Sequence, residues 1–96
     1  MQYQLRSYEV RPGEMEEWLE EWSRLVLPLR LEHGFELVGA WRVEDGDRFV
    51  WILAYDGDFA TADADYYASP ARAALDPDPA RHLENAETRM LHSVVE

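Results

Sequence analysis

The sequence predicts one α+β domain in which helices cover one face of a four-stranded antiparallel sheet. Its 96 residues are enough for a single domain, expected to span residues 1–96. Four short stretches read as strands, rich in apolar residues, and two longer ones repeat apolar residues at helical spacing. Their order along the chain is β-α-β-β-α-β. This order is the split βαβ, or ferredoxin-like, plan.

The N-terminal third supplies the first strand and a long helix. The strand is predicted over Gln2–Val10, where a following Pro-Gly pair ends it. The helix is predicted over Glu14–His33, with Gly34 as its C-terminal stop. Its apolar stripe consists of Met15, Trp18, Leu19, Trp22, Leu25, Val26 and Leu29. Pro28 lies inside this pattern, so we expect a kink or break near Arg24–Pro28.

A hairpin forms the centre of the predicted sheet. Its strands span Glu36–Val43 and Arg48–Tyr55, and the Asp45-Gly46 pair between them is a strong turn signal. One face is predicted to hold Leu37, Gly39, Trp41, Val43, Val50, Ile52 and Ala54, and the other Val38, Ala40, Phe49, Trp51, Leu53 and Tyr55. Because both faces are apolar, both need to be covered.

The turn length decides the register of this hairpin. A two-residue turn pairs Trp41 with Val50 and separates Trp41 from Trp51, one on each face. A loop one residue longer would bring both tryptophans to the same face. We expect the two-residue turn.

The C-terminal part supplies the second helix and the last strand. The helix is predicted over Asp58–Ala68, with Asp58 as N-cap. Short helical turns are predicted at Pro70–Leu75 and Pro79–Leu83, because a capping side chain precedes each proline. The fourth strand is predicted over Asn85–Val95.

Composition excludes several classes of function. The net charge is −11, and all nine basic residues are arginines. Such acidity argues against binding to nucleic acid and to anionic membrane surfaces. The chain has no lysine for Schiff-base chemistry and no cysteine for disulfides or thiolate sites. A cytoplasmic location fits this composition.

One face of the predicted sheet has no cover within the chain. The two helices occupy the other face. An aromatic side chain buries about 150–250 Å² when it is packed, so leaving one in water forgoes much of the hydrophobic free energy. A second copy of the chain, packed sheet against sheet, is the economical cover. A homodimer is therefore predicted.

The order of several short motifs resembles that of the NIPSNAP family of dimeric α+β barrel proteins. The most specific parts are Leu5–Tyr8 with the Pro12-Gly13 pair, and His33–Phe35 with Gly39–Trp41. The resemblance covers nearly the whole chain and implies a homodimer whose two sheets form a barrel. It does not supply a reaction. The wider barrel superfamily includes cofactor-independent monooxygenases of aromatic polyketides, haem-degrading enzymes, lactone isomerases and aldoxime dehydratases, with pockets between sheet and helices.

Aromatic and arginine side chains are the candidate ligand-binding residues. They are Arg6, Tyr8, Trp22, His33, Trp41, Tyr66 and Tyr67. Tyr and Trp can bury a flat ring while a polar atom orients a ligand, although core and dimer packing would equally explain them. His33 also suits a helix C-terminus. Arg6 needs a partner, either a structural Glu such as Glu87 or a ligand's carboxylate or enolate.

Neither a metal site nor an organic cofactor is predicted. His82 and His92 are isolated, without the spacing of paired metal ligands. Two functions remain open. One is the binding or transformation of a small aromatic or polyketide-like molecule. The alternative is a non-catalytic dimeric interaction protein, which a core without a cavity would favour.

Overall fold

The computed structural model of the protein describes residues 1–95 and has the predicted order of elements. The strands are β1 (Gln2–Val10), β2 (Glu36–Arg42), β3 (Arg48–Tyr55) and β4 (Leu83–Leu91). The α-helices are α1 (Met15–Glu21), α2 (Leu27–Glu32), α3 (Phe59–Ala68) and α4 (Pro70–Ala73). All strand pairs are antiparallel, in the order β2-β3-β1-β4. The predicted ferredoxin-like α+β class is confirmed.

A π-helical turn, Trp22–Val26, joins α1 to α2. The N–H of Leu27 donates to the carbonyl of Trp22, five residues back. Pro28 follows in the first turn of α2, where its missing N–H costs least. The predicted irregularity is thus confirmed. Leu29 and Arg30 of α2 are both buried. No helix among residues 1–95 combines the length and hydropathy of a membrane-spanning segment.

The end of α2 directs the chain back into the core. Gly34 has a φ of +88°, which a residue with a side chain adopts only with strain. Its N–H donates to the carbonyl of Leu31, and the N–H of Phe35 donates to that of Arg30. This double closure is a Schellman motif, and it leaves Phe35 buried at the start of β2.

The hairpin has the predicted register near its turn and a different one near its base. Trp41 pairs with Val50, as predicted. A bulge between Leu37 and Gly39 then leaves Val38 as an extra residue, so Leu37 pairs with Leu53. The predicted sheet faces of Leu37 and Val38 are therefore wrong. One inserted residue in β2 reverses which side chains point to which face in the part of the strand that precedes Gly39.

The last strand differs from the prediction at both ends. It begins at Leu83 and stops at Leu91, rather than spanning Asn85–Val95. Leu91 lies opposite Tyr3, close to the start of β1, so the sheet offers no backbone partner beyond it. Val94 and Val95 lie outside the strand and are exposed.

The segments between α3 and β4 are short helical turns, as predicted, but each ends one or two residues before its predicted end. The predicted turn Pro70–Leu75 is α4, and Pro79–Leu83 is a 3-10 turn over Pro79–His82. The side chain of Asp78 accepts from the N–H of Ala80, which is the expected cap.

The two faces of the sheet have different environments. The helix-covered face carries the core, and its central residues are Arg6, Tyr8, Phe49, Trp51 and Leu53, all buried. The open face carries Tyr3, Leu5, Val50 and Ile52, all half-buried, and Trp41. Trp41 and Trp51 thus lie on opposite faces, as the two-residue turn predicts.

Candidate functional site

A buried arginine on β1 organises a polar cluster inside the core. Arg6 is only 4% exposed, because strand alternation turns it under the helices together with Gln4 and Tyr8. Its Nε donates to the Tyr8 hydroxyl at 2.7 Å, and its Nη2 donates to the Tyr67 hydroxyl at 2.7 Å. Its Nη1 donates to the side-chain carbonyl of Gln4. All three guanidinium nitrogens are therefore engaged.

A second buried arginine adds a further positive charge. Arg30 on α2 is 1% exposed, and its Nη1 donates to Oδ1 of Asp63 on α3 at 2.7 Å. Arg6 approaches the same oxygen at 3.7 Å. The guanidinium carbon of Arg30 lies 3.8 Å from the centroid of the Tyr66 ring. Arg6 and Arg30 thus share a single carboxylate, which leaves one positive charge in excess.

Burial keeps the hydroxyls of Tyr8 and Tyr66 protonated. It raises the pKa of Tyr8, against the opposing effect of Arg6. It also raises the pKa of Tyr66, again against a nearby guanidinium, that of Arg30. For Arg6, burial lowers the pKa, but the tyrosine hydroxyls and Asp63 outweigh it and raise the pKa overall. Both tyrosines therefore remain O–H groups at neutral pH.

A small cavity adjoins this cluster, between the sheet and the helices. Its volume is about 40 Å³, and its lining includes Tyr8 and Trp51 from the sheet and Trp18, Arg30, Tyr66 and Tyr67 from the helices. Four of these residues have a buried polar atom without a partner among residues 1–95: Trp18 Nε1, Arg30 Nε, Trp51 Nε1 and Tyr66 Oη. Buried polar groups are nearly always paired, so these four atoms are unusual features of the core beside the cavity.

The chain matches the NIPSNAP family model over residues 3–94. The protein belongs to the NIPSNAP family. The resemblance seen in the sequence motifs is thereby confirmed.

Solved structures share this fold. An uncharacterized NIPSNAP domain protein from Burkholderia xenovorans is 25% identical, with a TM-score of 0.84 over 97% of this chain and 94% of that chain. A NIPSNAP family protein from Agrobacterium tumefaciens is 20% identical, with a TM-score of 0.84 over 95% and 90%. An antibiotic biosynthesis monooxygenase is 16% identical, with a TM-score of 0.75 over 99% and 100%. The last two are evidence of fold alone. No curated protein matches the chain.

Four of the seven candidate residues meet at this site in the NIPSNAP protein, namely Arg6, Tyr8, Tyr66 and Tyr67. Trp22 is in the core, edge-on to Trp51 with ring centroids 5.4 Å apart, and does not line the cavity. His33 contacts the site only through Tyr66, since the rings of the two residues pack edge-on with centroids 5.4 Å apart. Its Nδ1 lies 2.9 Å from the Leu29 carbonyl, to which it donates.

Trp41 is apart from this cluster. It lies on the open face and is 52% exposed, with its indole over Gly39, where any side chain would collide with the ring. Glu87 is not the partner of Arg6 either. It pairs with Ser7 across the β1–β4 ladder and so belongs to the open face. The hydrogen-bond partners of Arg6 lie on the opposite side of the sheet.

Three contributors to the site were not predicted: Gln4, Arg30 and Asp63. Gln4 shares the strand face of Arg6, so the alternation of side chains along the strand would have predicted it. Arg30 follows Val26 by one helical turn, so its place on the buried stripe was also a signal. Asp63 has no local signal, because α3 reaches Arg6 and Arg30 only through the tertiary fold.

A second buried polar group connects the 3-10 turn to α1. His82 is 3% exposed, with Nδ1 2.8 Å from Glu14 Oε1 and Nε2 3.1 Å from Glu21 Oε2. Arg81 donates to both oxygens of Glu21, at 2.9 and 2.8 Å. Burial lowers the pKa of His82, but the hydrogen bonds with Glu14 and Glu21 outweigh it and raise the pKa.

Part of this group, with Glu17 beside it, also brings together three side chains of metal-ligating type. Donor atoms of Glu17, Glu21 and His82 lie within 4.8 Å of one another. Both oxygens of Glu21 already accept hydrogen bonds from Arg81, so the group is an ion-pair network. The expectation that no metal binds stays a prediction.

Replacing Asp63 tests the shared carboxylate. Asp63→Asn leaves two buried guanidinium groups without a negative partner, so we expect the free energy of unfolding to fall by about 3 kcal/mol, the low end for a broken buried pair, because Asp63 is partly exposed. Urea denaturation measures this loss. Asp65→Asn is the control, since Asp65 is exposed on the same helix and forms no ion pair among residues 1–95. Equal effects of the two substitutions would contradict the assignment.

Replacing His82 tests the His82–Glu14–Glu21 network through pH. Folding raises the pKa of His82, so its protonated ring stabilises the folded state. This stabilisation is complete below the pKa of the unfolded chain, about 6.5, and is lost as pH rises through the pKa of the folded protein. We expect His82→Gln to lower the free energy of unfolding by about 1–3 kcal/mol at pH 6 and by less at pH 9. Urea denaturation between these pH values measures the trend, with exposed His92→Gln as control. A penalty that grows with pH would contradict it.

Proposed function

We propose that this NIPSNAP protein binds or transforms a small aromatic or polyketide-like molecule between its sheet and its helices, without an organic cofactor. The observation that carries the proposal is the Arg6 cluster, held by Tyr8 and Tyr67 beside a small cavity that both tyrosines line. A cavity with aromatic walls and a few convergent polar groups is typical of small-molecule sites. The fold shared with an antibiotic biosynthesis monooxygenase adds support by analogy.

Access to the cavity depends on Tyr67 near the end of α3. A volume of about 40 Å³ is too small for an aromatic ring, so part of the ligand has to occupy the mouth. Tyr67 lines the cavity and is 48% exposed, and its hydroxyl accepts from Arg6. When its ring turns outward, Nη2 of Arg6 is released for a ligand oxygen. Tyr67 is thus both a partner of Arg6 and the side chain that closes the site.

The cluster can stabilise negative charge on a ligand oxygen. Arg6 is a permanent cation in a dry environment, and the Tyr8 hydroxyl beside it stays protonated. Together they would favour the enolate or phenolate form of a bound molecule. This is what Arg6 and Tyr8 can contribute to chemistry on a phenolic substrate. The proposal assigns binding roles to these residues and names no catalytic base.

We also propose that the protein is a homodimer. The open sheet face supports this proposal. Trp41 and Val38 are about half exposed there, next to half-buried Leu5, Val50 and Ile52. Contiguous apolar surface of this kind marks an interface, and a two-fold dimer buries one such patch against its copy. The same face is the observation that favours the alternative function, a non-catalytic dimeric interaction protein. The cytoplasmic location stays a prediction.

Ligand binding is tested by thermal denaturation with 2-naphthol and 2-naphthoate at millimolar concentration. We expect at least one to raise the Tm by several degrees, since binding at ten times Kd adds about 1.4 kcal/mol and a domain of this size shifts by about 4–8 °C per kcal/mol. Arg6→Leu should abolish the shift, whereas exposed Arg24→Leu should retain it. If neither probe moves the Tm, the alternative function is favoured.

Assembly is tested by sedimentation at micromolar concentration. We expect a mass of twice 11.2 kDa for the unmodified chain. Ile52→Arg places a charge in the open sheet face and should shift the protein to monomers. Ala64→Arg adds the same charge to an exposed position on α3 and should leave the dimer intact. A mass near 11.2 kDa for the unmodified chain overturns the dimer.

A further inference from the structure

His82 has a carboxylate at each of its two ring nitrogens. Nδ1 lies 2.8 Å from Oε1 of Glu14, and Nε2 lies 3.1 Å from Oε2 of Glu21. An ionised carboxylate only accepts hydrogen bonds, and a neutral imidazole has one N–H and one lone pair. Both contacts are therefore hydrogen bonds only when the ring carries two N–H groups, that is, when His82 is an imidazolium.

The charges around the ring favour this protonated form. Five charged side chains approach the ring or its turn from the elements packed against it, namely Glu14, Glu17 and Glu21 along α1, Arg81 in the 3-10 turn, and Arg11 in the segment between β1 and α1. Three carboxylates against two guanidinium groups leave one negative charge in excess when the ring is neutral. Protonation of His82 balances that charge, in agreement with its raised pKa.

His82 joins two pieces of the cavity wall. It ends the 3-10 turn, in which Ala80 lines the cavity, and Leu83 directly after it lines the cavity as well. Glu14 directly precedes α1 and Glu21 is its last residue, with the cavity-lining Trp18 between them. The ring therefore connects both ends of α1 to the turn on the other side of the cavity.

Loss of the proton leaves one of the two carboxylates facing a lone pair. The ring is only 3% exposed, so water reaches the bare nitrogen only when the turn moves away from α1. Arg81 still donates to both oxygens of Glu21, at 2.9 and 2.8 Å, and keeps the turn attached at that point. Deprotonation thus weakens the contact between the turn and α1 without removing it.

From this geometry we propose that His82 is a pH-sensitive switch, which holds the 3-10 turn against α1 when its ring is protonated and lets the turn open when the ring is neutral. The Arg81–Glu21 ion pair is the attachment about which the turn moves. Opening loosens the part of the cavity wall that Ala80 and Leu83 form, so the cavity is more accessible at alkaline pH than at acidic pH. The switch needs no ligand, and it stands or fails independently of the proposed function.

The charge of the ring is tested by the nitrogen chemical shifts of His82 in an NMR titration. We expect the ring to lose its proton above the ordinary pKa of about 6.5. Glu14→Gln is the informative variant, because an amide can accept from a protonated nitrogen or donate to a bare one. The neutral ring then keeps both of its contacts, so His82 should titrate at lower pH in this variant. Titration of the unmodified chain at or below 6.5 would overturn the switch.

Opening of the turn is tested by amide hydrogen exchange. The N–H of Arg11 donates to the carbonyl of His82 at 2.8 Å, so its protection against exchange reports whether the turn is in place. We expect this protection to fall about tenfold as pH rises through the pKa of His82, since a hydrogen bond between charged groups is lost. It should also stay below the protection of Leu53 in the sheet, because the turn opens while the sheet is folded.

Two variants complete the exchange experiment. Glu14→Gln should remove the fall in Arg11 protection, because its amide pairs with the ring in either charge state. Glu20→Gln is the matched control and should keep the fall, since Glu20 is exposed on the same helix and pairs with Arg24. Unchanged protection of Arg11 across the titration would overturn the switch. Equal protection of Arg11 and Leu53 at high pH would also overturn it, because the turn would then open only when the whole domain unfolds.

Discussion

One carboxylate shared by two buried guanidinium groups connects the layers of this protein. Asp63 on α3 binds Arg30 on α2 and lies close to Arg6 on β1. Taking three charges out of water is costly unless each has a partner nearby, so the positions of the helices over the sheet have to satisfy this group. It also leaves one positive charge unbalanced.

Two local features bring the arginines to the same place. Strand alternation turns Arg6 under the helices, together with the hydroxyl of Tyr8. Arg30 follows Val26 by one helical turn, which places it on the buried stripe of α2. The π-helical turn Trp22–Val26 lies directly before α2, so the site is built on an irregular stretch of this helix.

The same alternation divides the molecule by function. The residues of β1 that face the helices are Gln4, Arg6, Tyr8 and Val10, whereas Tyr3, Leu5 and Ser7 belong to the open face. The helix side holds the candidate ligand site, and the open side holds apolar surface suited to a second copy. Trp51 and Trp41 mark the two roles, since one lines the cavity and the other is exposed on the open face.

Much of the fold could be predicted from the sequence, because the features that decide it depend on residues close together in the chain. The bounds of β1 and β3, the cap at Asp58, the break before Pro28 and the hairpin register near its turn depend on neighbouring residues alone. By itself the sequence placed Arg6 and Tyr8 on one strand face, because residues two apart in a strand share a face. Only the tertiary structure decided that Asp63 is the carboxylate near Arg6, that Glu87 is not, and that β4 ends at Leu91. These outcomes depend on which distant segments meet, and no local pattern records a contact between distant segments.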